Sequence, residues 1–186
     1  MIKNIALLFL ITLSANAQDQ GASVAKSIYG IQTGLLGVYF NNEAKITDAI
    51  ALRSEVGFDV MWSTGGLYGS TSFGLAPVIT LEPRWYYNLD KRLAKGKSIS
   101  NNSGNFMSLH TNFNPSWFNI SNRDLVEQDR IYIMPTWGLR RHIGQHFNYE
   151  AGAGAGLGYI VPTKYNYSNE GSFVAVNLLF RIGYTF

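Results

Sequence analysis

The chain has 186 residues, the length of one domain of ordinary size. Charged residues make up only 15% of it and aromatic residues 14%, so the sequence carries fewer charges than a fully water-exposed surface normally needs. The formal net charge of +3 is too small and too dispersed to indicate a nucleic-acid partner, and the absence of cysteine excludes disulfides and thiolate metal sites.

The N-terminus has the pattern of a secretory signal peptide. Lys3 precedes a short apolar run at residues 5–13, which ends in an Ala-Asn-Ala sequence at Ala17. This pattern predicts a signal peptide over residues 1–17, cleaved after Ala17. The apolar run is too short to span a bilayer, and no other stretch approaches about 18 apolar residues. The sequence therefore excludes a helical membrane protein.

After the signal peptide, apolar and polar residues alternate with a period of two, which indicates β-strands whose faces meet different surroundings. Seven alternating segments are separated by polar or glycine-rich stretches. They are residues 29–40, 50–62, 71–87, 106–118, 130–141, 147–160 and 172–186. The first segment alternates poorly, and a turn is predicted after it at 41–43. A short helix is predicted within 88–104.

This pattern predicts an all-β fold, a closed antiparallel transmembrane β-barrel formed by residues 18–186. Single-chain bacterial barrels have an even number of strands. An eighth, weak strand is therefore predicted near residues 18–27. Pro77, Pro83 and Pro135 fall inside strand patterns, where each removes a ladder donor, so they are expected at bulges or at the membrane rim.

The closing segment is the most regular one, because every second residue from Val174 to Phe186 is apolar. ITLEPRWYYNL (79–89), GNFMSLHTNF (104–113) and FRIGYTF (180–186) resemble segments of small outer-membrane β-barrels of the Bacteroidota type, loosely akin to the porin-like and OmpW-like barrels. The resemblance covers the whole mature chain and is architectural. It implies an integral outer-membrane location, contact with outer-membrane lipids, and insertion by the barrel-assembly machinery. The insertion signal is then the C-terminal row Phe186, Tyr184 and Ile182.

Charged residues are predicted on the inward faces of the strands. They are Arg53, Glu55, Asp59, Glu82, Arg84, Arg140, Glu150 and Arg181. The interior of an eight-stranded barrel is about wide enough for its own side chains, and a buried charge must be paired. The sequence thus favours an ion-pair core that plugs the lumen. In the alternative, some of these groups line a narrow path or a small ligand cavity, and the inward glycines 152, 154, 156 and 158 fit either interpretation.

Aromatic residues cluster near the predicted strand ends. They are Trp62, Trp85, Tyr86, Tyr87, Trp117, Trp137, Tyr149 and Tyr159. In a barrel these positions are typical of the two interfacial girdles, where an amphipathic ring suits the headgroup layer.

No pattern in the chain indicates an enzyme, a cofactor or a metal site. Ser108 and His110 share a predicted inward face, but no carboxylate is assigned beside them to complete a catalytic set. The glycine alternation at 152–158 lacks the following helix of a dinucleotide loop. His142 and His146 have metal-ligand spacing only if they are helical, and Gly144 between them argues against a helix.

Three function hypotheses follow from the sequence. The first is a structural or interaction barrel with a packed, charged lumen that presents external loops near 63–70, 119–129 and 161–171. The second is a narrow channel or carrier for small solutes, including hydrophobic ones that leave sideways into the bilayer. The third and most remote is an outer-membrane lipid-modifying enzyme.

Overall fold

The computed structural model describes residues 21–35, 37–63, 72–116, 120–121, 128–161 and 171–186 of the chain. The predicted signal peptide lies outside these residues. The strands are β1 Ser27–Gly34, β2 Gly37–Lys45, β3 Ile50–Ser63, β4 Ser72–Trp85, β5 Asn105–Asn114, β6 Ile120–Ser121, β7 Arg130–Ile143, β8 Phe147–Ile160 and β9 Gly171–Thr185. Between β4 and β5 lie one short helix, α1 Leu89–Leu93, and a 3-10 turn, Ser100–Asn102, so the helix predicted within 88–104 is confirmed.

Eight strands close into an antiparallel ring in the order β1–β2–β3–β4–β5–β7–β8–β9, with β9 paired again to β1. The two-residue β6 pairs with β4 beyond the end of the β4–β5 ladder. The predicted closed eight-stranded antiparallel barrel is therefore confirmed. Within the described ranges, no helix is both long and apolar enough to cross a membrane.

The eighth strand arises at a place that the sequence did not indicate. Residues 29–40, predicted as one strand, belong to a hairpin of β1 and β2 in which Gly34 pairs with Gly37. The predicted turn at 41–43 is wrong because these residues lie inside β2, and the predicted strand near 18–27 is wrong because residues 21–26 form no strand. The hairpin turn was hidden because the sequence between the two glycines is Leu-Leu, which extends the apolar pattern.

The strand prolines lie in interrupted ladders. The β4–β5 pairing stops at Leu81 and resumes at Arg84 in the same register, so it passes over Pro83 without an extra residue. The β7–β8 pairing passes over Pro135 in the same way, and Pro77 lies beyond the β5 ladder. The pairings therefore show no bulge at Pro83 or Pro135, and the alternative expectation, a position at the membrane rim, stays a prediction. Each proline keeps its partner on the opposite neighbouring strand.

The two faces of the strands differ as the alternation predicts. On β9 the outward side chains of Val174, Val176, Leu178 and Ile182 are between 64% and 77% exposed, whereas Thr185 on the inward face is buried. Similar outward rows occur around the ring and together form the apolar belt. Its members are Val38, Phe40, Val56, Phe58, Val60, Phe73, Leu75, Ile79, Leu81, Leu109, Ile133, Leu157, Val174, Val176, Leu178, Phe180 and Ile182. A water-soluble monomer rarely exposes so large an apolar surface.

The two ends of the barrel are built differently. One end, called the terminal end, carries residues 21–26, the connections 46–49, 86–104 and 144–146, and the C-terminal Phe186. At the opposite end, called the loop end, β3, β5 and β8 finish, and β4, β7 and β9 begin.

Residues 21–26 cover the terminal end of the lumen. The backbone N–H of Ala22 donates to Asp90 Oδ1 at 2.9 Å, and that of Ala25 donates to Asn102 Oδ1 at 2.7 Å. Ala22 and Val24 are buried in an apolar cluster whose other members are Ala51, Tyr86, Leu89, Phe106 and Leu179. This segment and the β4–β5 connection therefore form a cap under the barrel.

One exposed ion pair lies at the edge of this cap. Asp48 accepts hydrogen bonds from Lys45 Nζ at 2.5 Å and from Ser23 Oγ at 3.1 Å. The contact with Lys45, followed by that with Ser23, lowers the pKa of Asp48 from its ordinary value. Their contribution to stability is present above the unfolded-state pKa and is lost as the pH falls through the lower folded-state pKa. Since Asp48 is exposed to water, this contribution is small.

Asn102 links the cap to the barrel through two hydrogen bonds. Its amide Nδ2 donates to buried Glu43 Oε1 at 2.5 Å, and its Oδ1 accepts from Ala25. We expect Asn102→Gly to lower the free energy of unfolding by about 2–3 kcal/mol, because a buried carboxylate and a backbone N–H lose partners. Glycine suits the backbone, since Asn102 has a φ of 61°. Urea unfolding monitored by heat-modifiable gel mobility measures the change.

The neighbouring Asn101 supplies a matched control. It also has a positive φ, 48°, but its side chain contacts only the half-buried His142 ring at 2.8 Å. Asn101→Gly is expected to change the stability by well under about 1 kcal/mol. Equal losses in the two variants would mean that backbone flexibility, and not the contacts of Asn102, determines the result.

Candidate functional site

Charged side chains fill the lumen next to the cap. They form one connected network of arginines and glutamates, called the plug. Its members are Glu43, Arg53, Glu55, Glu82, Arg84, Arg140, Glu150 and Arg181. The side chain of Arg181 is 11% exposed, and the others are at most 2% exposed. Four positive and four negative groups balance in formal charge, as burial of so many ions requires.

The register of the sheet places opposite charges directly across from one another. The cross-strand pairs are Glu43 with Arg53, Arg53 with Glu82, Arg140 with Glu150, and Glu150 with Arg181. Opposite charges at facing positions stabilise a strand pair, and these pairs lie on both halves of the ring. The plug is therefore set by strand register as well as by side-chain contact.

Glu150 is the centre of the plug. Arg84 donates to both of its oxygens, from Nη1 to Oε1 and from Nη2 to Oε2, each at 3.1 Å. Arg140 Nη1 lies 3.2 Å from Oε1, and Arg53 Nη1 lies 3.4 Å from it. The guanidinium of Arg84 also lies 4.3 Å from the centre of the Phe106 ring. A two-pronged arginine–carboxylate contact is strong and geometrically specific, and Glu150 on β8 thus contacts arginines of three other strands, β3, β4 and β7.

Glu43 is the plug residue that the sequence did not predict. It is fully buried, and its Oε1 accepts from Tyr86 Oη at 2.8 Å while its Oε2 accepts from Arg140 Nη1 at 3.1 Å. Residue 43 was assigned to a turn. The signal that could have identified it is the alternation of outward Val38 and Phe40 with polar Asn41 and Glu43 on the other face.

Of the eight charges predicted for the lumen, Asp59 alone lies outside the plug. The other seven belong to it. Asp59 lies nearer the loop end, where its Oδ1 accepts from Tyr39 Oη at 2.7 Å and its Oδ2 from Asn114 Nδ2 at 3.5 Å. No cation of the described residues lies within 4.0 Å of it.

Ser108 and His110 do meet a carboxylate, contrary to the prediction. Ser108 Oγ donates to Glu82 Oε1 at 2.6 Å, and His110 Nδ1 lies 3.5 Å from Glu82 Oε2. The carboxylate therefore lies between the hydroxyl and the imidazole. A serine nucleophile needs its base within hydrogen-bond reach, and here the hydroxyl is bonded to the plug instead.

The inward glycines of β8 make room for their neighbours in the sheet. A side chain at position 156 would meet the backbone of β7 at Ile133 and Met134, and one at position 158 would meet the ring of Phe173. The space beside these glycines is thus occupied by β7 and β9.

Above the plug, the half of the lumen nearer the loop end holds a cavity of about 610 Å³. Its floor includes Glu55 and Arg181 of the plug, and its polar wall includes Asp59, Asn112 and Asn177. A volume of this size falls within the range of small-molecule sites. The plug lies between this cavity and the cap.

Among the residues that the structure describes, the wall of this cavity is incomplete on one side because the β1–β2 hairpin is short. β1 has 8 residues and β2 has 9, whereas β3 and β4 have 14 each and β9 has 15. The β1–β9 ladder ends where Gly34 pairs with Arg181, and β2 begins opposite Asp59. Residues 171–180 of β9 therefore have no ladder partner on their β1 side among the described residues.

The cavity reaches the outer surface through this gap, called the window. The window is bounded by Leu35 at the hairpin tip, Val60 on β3, and Val176, Leu178 and Phe180 on β9. These β3 and β9 side chains belong to the outward apolar belt, yet they line the same cavity as the inward residues of β9. If the wall were closed here, inward and outward residues of β9 would not line the same cavity.

A second depression continues from the window along the outside of the barrel. This groove has a volume of about 390 Å³ and shares Leu35, Phe180 and Arg181 with the cavity. Its far wall is formed by Tyr149 and Ile182, outward residues of β8 and β9. Cavity, window and groove are therefore continuous.

Most of the predicted girdle aromatics that the structure describes point outward. Trp85, Tyr87, Trp137, Tyr149 and Tyr159 are exposed. The prediction is wrong for Tyr86, which is buried and donates a hydrogen bond to Glu43 of the plug. The side chains of Trp62 and Trp117 lie outside the described part of the chain.

Neutralising Glu150 tests the plug. We expect Glu150→Gln to lower the free energy of unfolding by about 3–5 kcal/mol, because three arginines then share a buried site with too few carboxylates. Asp48→Asn is the control: it removes an exposed pair and should change the stability far less than Glu150→Gln does. Urea unfolding monitored by heat-modifiable gel mobility compares the two variants, and a small effect of Glu150→Gln would mean that water, and not Glu150, solvates the arginines.

No protein-family model, curated protein or solved structure matches the chain. Within the residues that the structure describes, no three histidine, cysteine, aspartate or glutamate side chains converge to hold a metal ion.

Proposed function

We propose that the chain is an integral outer-membrane β-barrel that binds small, mostly apolar molecules in its cavity and exchanges them with the membrane through the window. This is the carrier hypothesis of the sequence analysis, without a path from end to end. The observation that carries it is the cavity's lining, which includes both inward and outward residues of β9. The apolar belt and the outward aromatic residues support a membrane location.

The unpaired edge of β9 supports the same function. Open sheet edges are not tolerated against lipid, and irregular backbone at membrane depth is accepted only where it is buried or lines a cavity. Residues 176–180 of this edge meet that condition because they border the cavity. A bound apolar molecule would also cover the outward residues that frame the gap.

Export and insertion are part of the proposal. The signal-peptide pattern at 1–17 and the C-terminal aromatic row support delivery to the barrel-assembly machinery. At the terminal end Tyr184 stacks on His146, with ring centres 4.9 Å apart, and contacts Phe186 at 5.5 Å. Interaction through external loops stays a prediction, because 63–70, 119–129 and 161–171 lie largely outside the described residues.

Cysteine labelling tests the window. The chain has no cysteine, so Asn177→Cys places one thiol on the cavity wall and Val176→Cys places one on the apolar belt. In phosphatidylcholine vesicles, pyrene maleimide dissolved in the membrane is expected to label both, since the window joins the two faces. Ala51→Cys, fully buried near the cap, is expected to remain unlabelled. Labelling of position 176 without position 177 would contradict the window.

A charge at the hairpin tip separates entry through the window from entry through the loop end. Leu35→Asp is expected to slow labelling of Asn177→Cys roughly tenfold, because a charge at the apolar rim of the window opposes the passage of an apolar molecule. Leu157→Asp is the matched control on β8, where Leu157 is similarly exposed but lies outside the window. Equal slowing by both substitutions would assign the effect to altered insertion.

Conductance tests the closed lumen. In a planar bilayer the refolded protein is expected to give no discrete current steps, because the plug and the cap lie in series. Arg84→Ala and Glu82→Ala are expected to remain silent as well, since each leaves the cap in place. Heat-modifiable gel mobility confirms folding in each case. Discrete steps from the wild type would establish an end-to-end path.

A further inference from the structure

The terminal end of the barrel carries positive charge that its carboxylates do not balance. Six cations there belong to no ion pair among the described residues. They are Lys26, Lys91, Arg92, Lys95, Lys97 and Arg141. The carboxylate side chains of the connections at this end are Asp48, which pairs with Lys45, and Asp90. Arg92 and Arg141 differ from the four lysines because both are half-buried and lie close enough for their charges to repel each other.

Arg141 is held in place by neutral groups only. It lies on the outward face of β7, where every other outward residue is apolar. Its Nη1 donates to the carbonyl oxygens of Gly104 at 2.8 Å and Arg140 at 2.7 Å. Its Nη2 donates to Asn105 Oδ1 at 2.6 Å, and its Nε–H has no partner among the described residues. The position of this guanidinium is therefore fixed, while its charge has no counterion.

Arg92 is fixed in the same way on the other side of the pair. It lies in α1, and its Nε and Nη2 donate to the Ser98 carbonyl oxygen at 3.2 and 2.8 Å. Its Nη1 has no partner within the described part of the chain. Two ordered guanidinium groups thus keep free N–H donors beside one another, and a bound anion would remove their repulsion without ordering either side chain.

Aromatic residues place this pair at the edge of the apolar belt. Tyr87 Oη accepts from Trp137 Nε1 at 2.8 Å and from Asn105 Nδ2 at 3.4 Å, and the same Asn105 bonds Arg141. Tyr149 faces Arg141 in the β7–β8 ladder. Tyr87, Trp137 and Tyr149 are exposed on the outside of the barrel. Such rings are typical of the headgroup layer of a membrane, which is where lipid phosphates lie.

We propose that Arg92 and Arg141 bind the phosphate of an anionic phospholipid in the leaflet next to the terminal end. The free N–H groups of the two side chains donate to the phosphate oxygens, and an acyl chain lies on β7 along Leu139 and Trp137. Arginine suits a phosphate because its planar fork matches the phosphate oxygens. A zwitterionic lipid would add an ammonium group, which the basic terminal end repels. This assignment rests on the membrane location proposed above and is independent of the cavity and the window.

Quenching of Trp137 by brominated lipids tests the site. The substitutions Trp62→Phe, Trp85→Phe and Trp117→Phe leave Trp137 as the one tryptophan of the chain. This protein is refolded into phosphatidylcholine vesicles with a rising fraction of chain-brominated phosphatidylglycerol or of chain-brominated phosphatidylcholine. We expect phosphatidylglycerol to reach half-maximal quenching at a mole fraction about tenfold lower, because each basic group near a membrane surface favours an anionic lipid several-fold.

Variants in the same background assign the contact. Arg92→Gln is expected to lower the preference for phosphatidylglycerol to about threefold, because one of the two guanidinium groups is lost. Arg141→Lys keeps the charge but loses the fork, so it is also expected to lower the preference. Lys26→Gln is the matched control, since it removes one exposed charge from the same end of the barrel beside β1, and it should leave the preference unchanged.

Folding of each variant is checked by heat-modifiable gel mobility. Arg92→Gln decides the matter if Arg141→Lys does not fold, because the Arg92 side chain bonds only the carbonyl oxygen of Ser98 among the described residues.

The outcomes separate the lipid site from the membrane location. Equal quenching by the two lipids would overturn the site and leave the membrane location intact. An equal loss of preference in Arg92→Gln and Lys26→Gln would assign it to diffuse attraction by the basic end, and not to the arginine pair. Loss of the preference on addition of inorganic phosphate, at the concentration of the brominated lipid, would assign the pair to a free anion. Absence of quenching by either lipid would overturn the membrane location itself.

Discussion

The interior of the barrel depends on the contact between Arg84 and Glu150. The interior of an eight-stranded barrel is about wide enough for its own side chains or for one small ligand, and here ions fill the part of the lumen next to the cap. A buried guanidinium is stable only if carboxylates surround it, so each arginine of the plug requires glutamates from neighbouring strands. The two-pronged contact of Arg84 with Glu150 joins β4 to β8 across the lumen and holds the charges of both halves of the ring at one level.

The same network shapes the cavity above it. Arg181 bonds Glu55, covers the ring of Tyr39, and pairs in the sheet with Gly34 at the end of the β1 ladder. Arg181 therefore belongs to the floor of the cavity, to the last pair of the β1–β9 ladder and to the edge of the window. Because Arg181 and Arg53 both donate to Glu55 Oε2, the other oxygen of that buried carboxylate has no hydrogen-bond partner.

Much of the fold could be predicted from alternation alone, because a barrel has a polar inside and an apolar outside. The plug could also be predicted in outline, since seven inward charges followed from a period of two. Glu43 and Tyr86 could not be predicted as part of it. Glu43 lies in an asparagine-rich segment that is typical of a turn, and Tyr86 lies between Trp85 and Tyr87, where an aromatic residue is typical of a girdle. The Leu-Leu sequence between Gly34 and Gly37 concealed a hairpin. Pro83 and Pro135 interrupt one ladder without a bulge, because the strand on their other side fixes the register.

The window was beyond the reach of the sequence for a different reason. Strand length can be estimated from one segment of the sequence. A gap in the wall, however, arises when neighbouring strands differ in length, and which strands are neighbours is known only once the ring is closed. β1 and β9 stand at opposite ends of the chain, and their ladder ends at Gly34 because β1 turns there while β9 continues. The unpaired part of β9 would be a liability beside lipid alone. Bordered by a cavity and by the exposed side chains of Val176, Leu178 and Phe180, it becomes the one section of the described wall where the inside and the outside of the barrel share a surface.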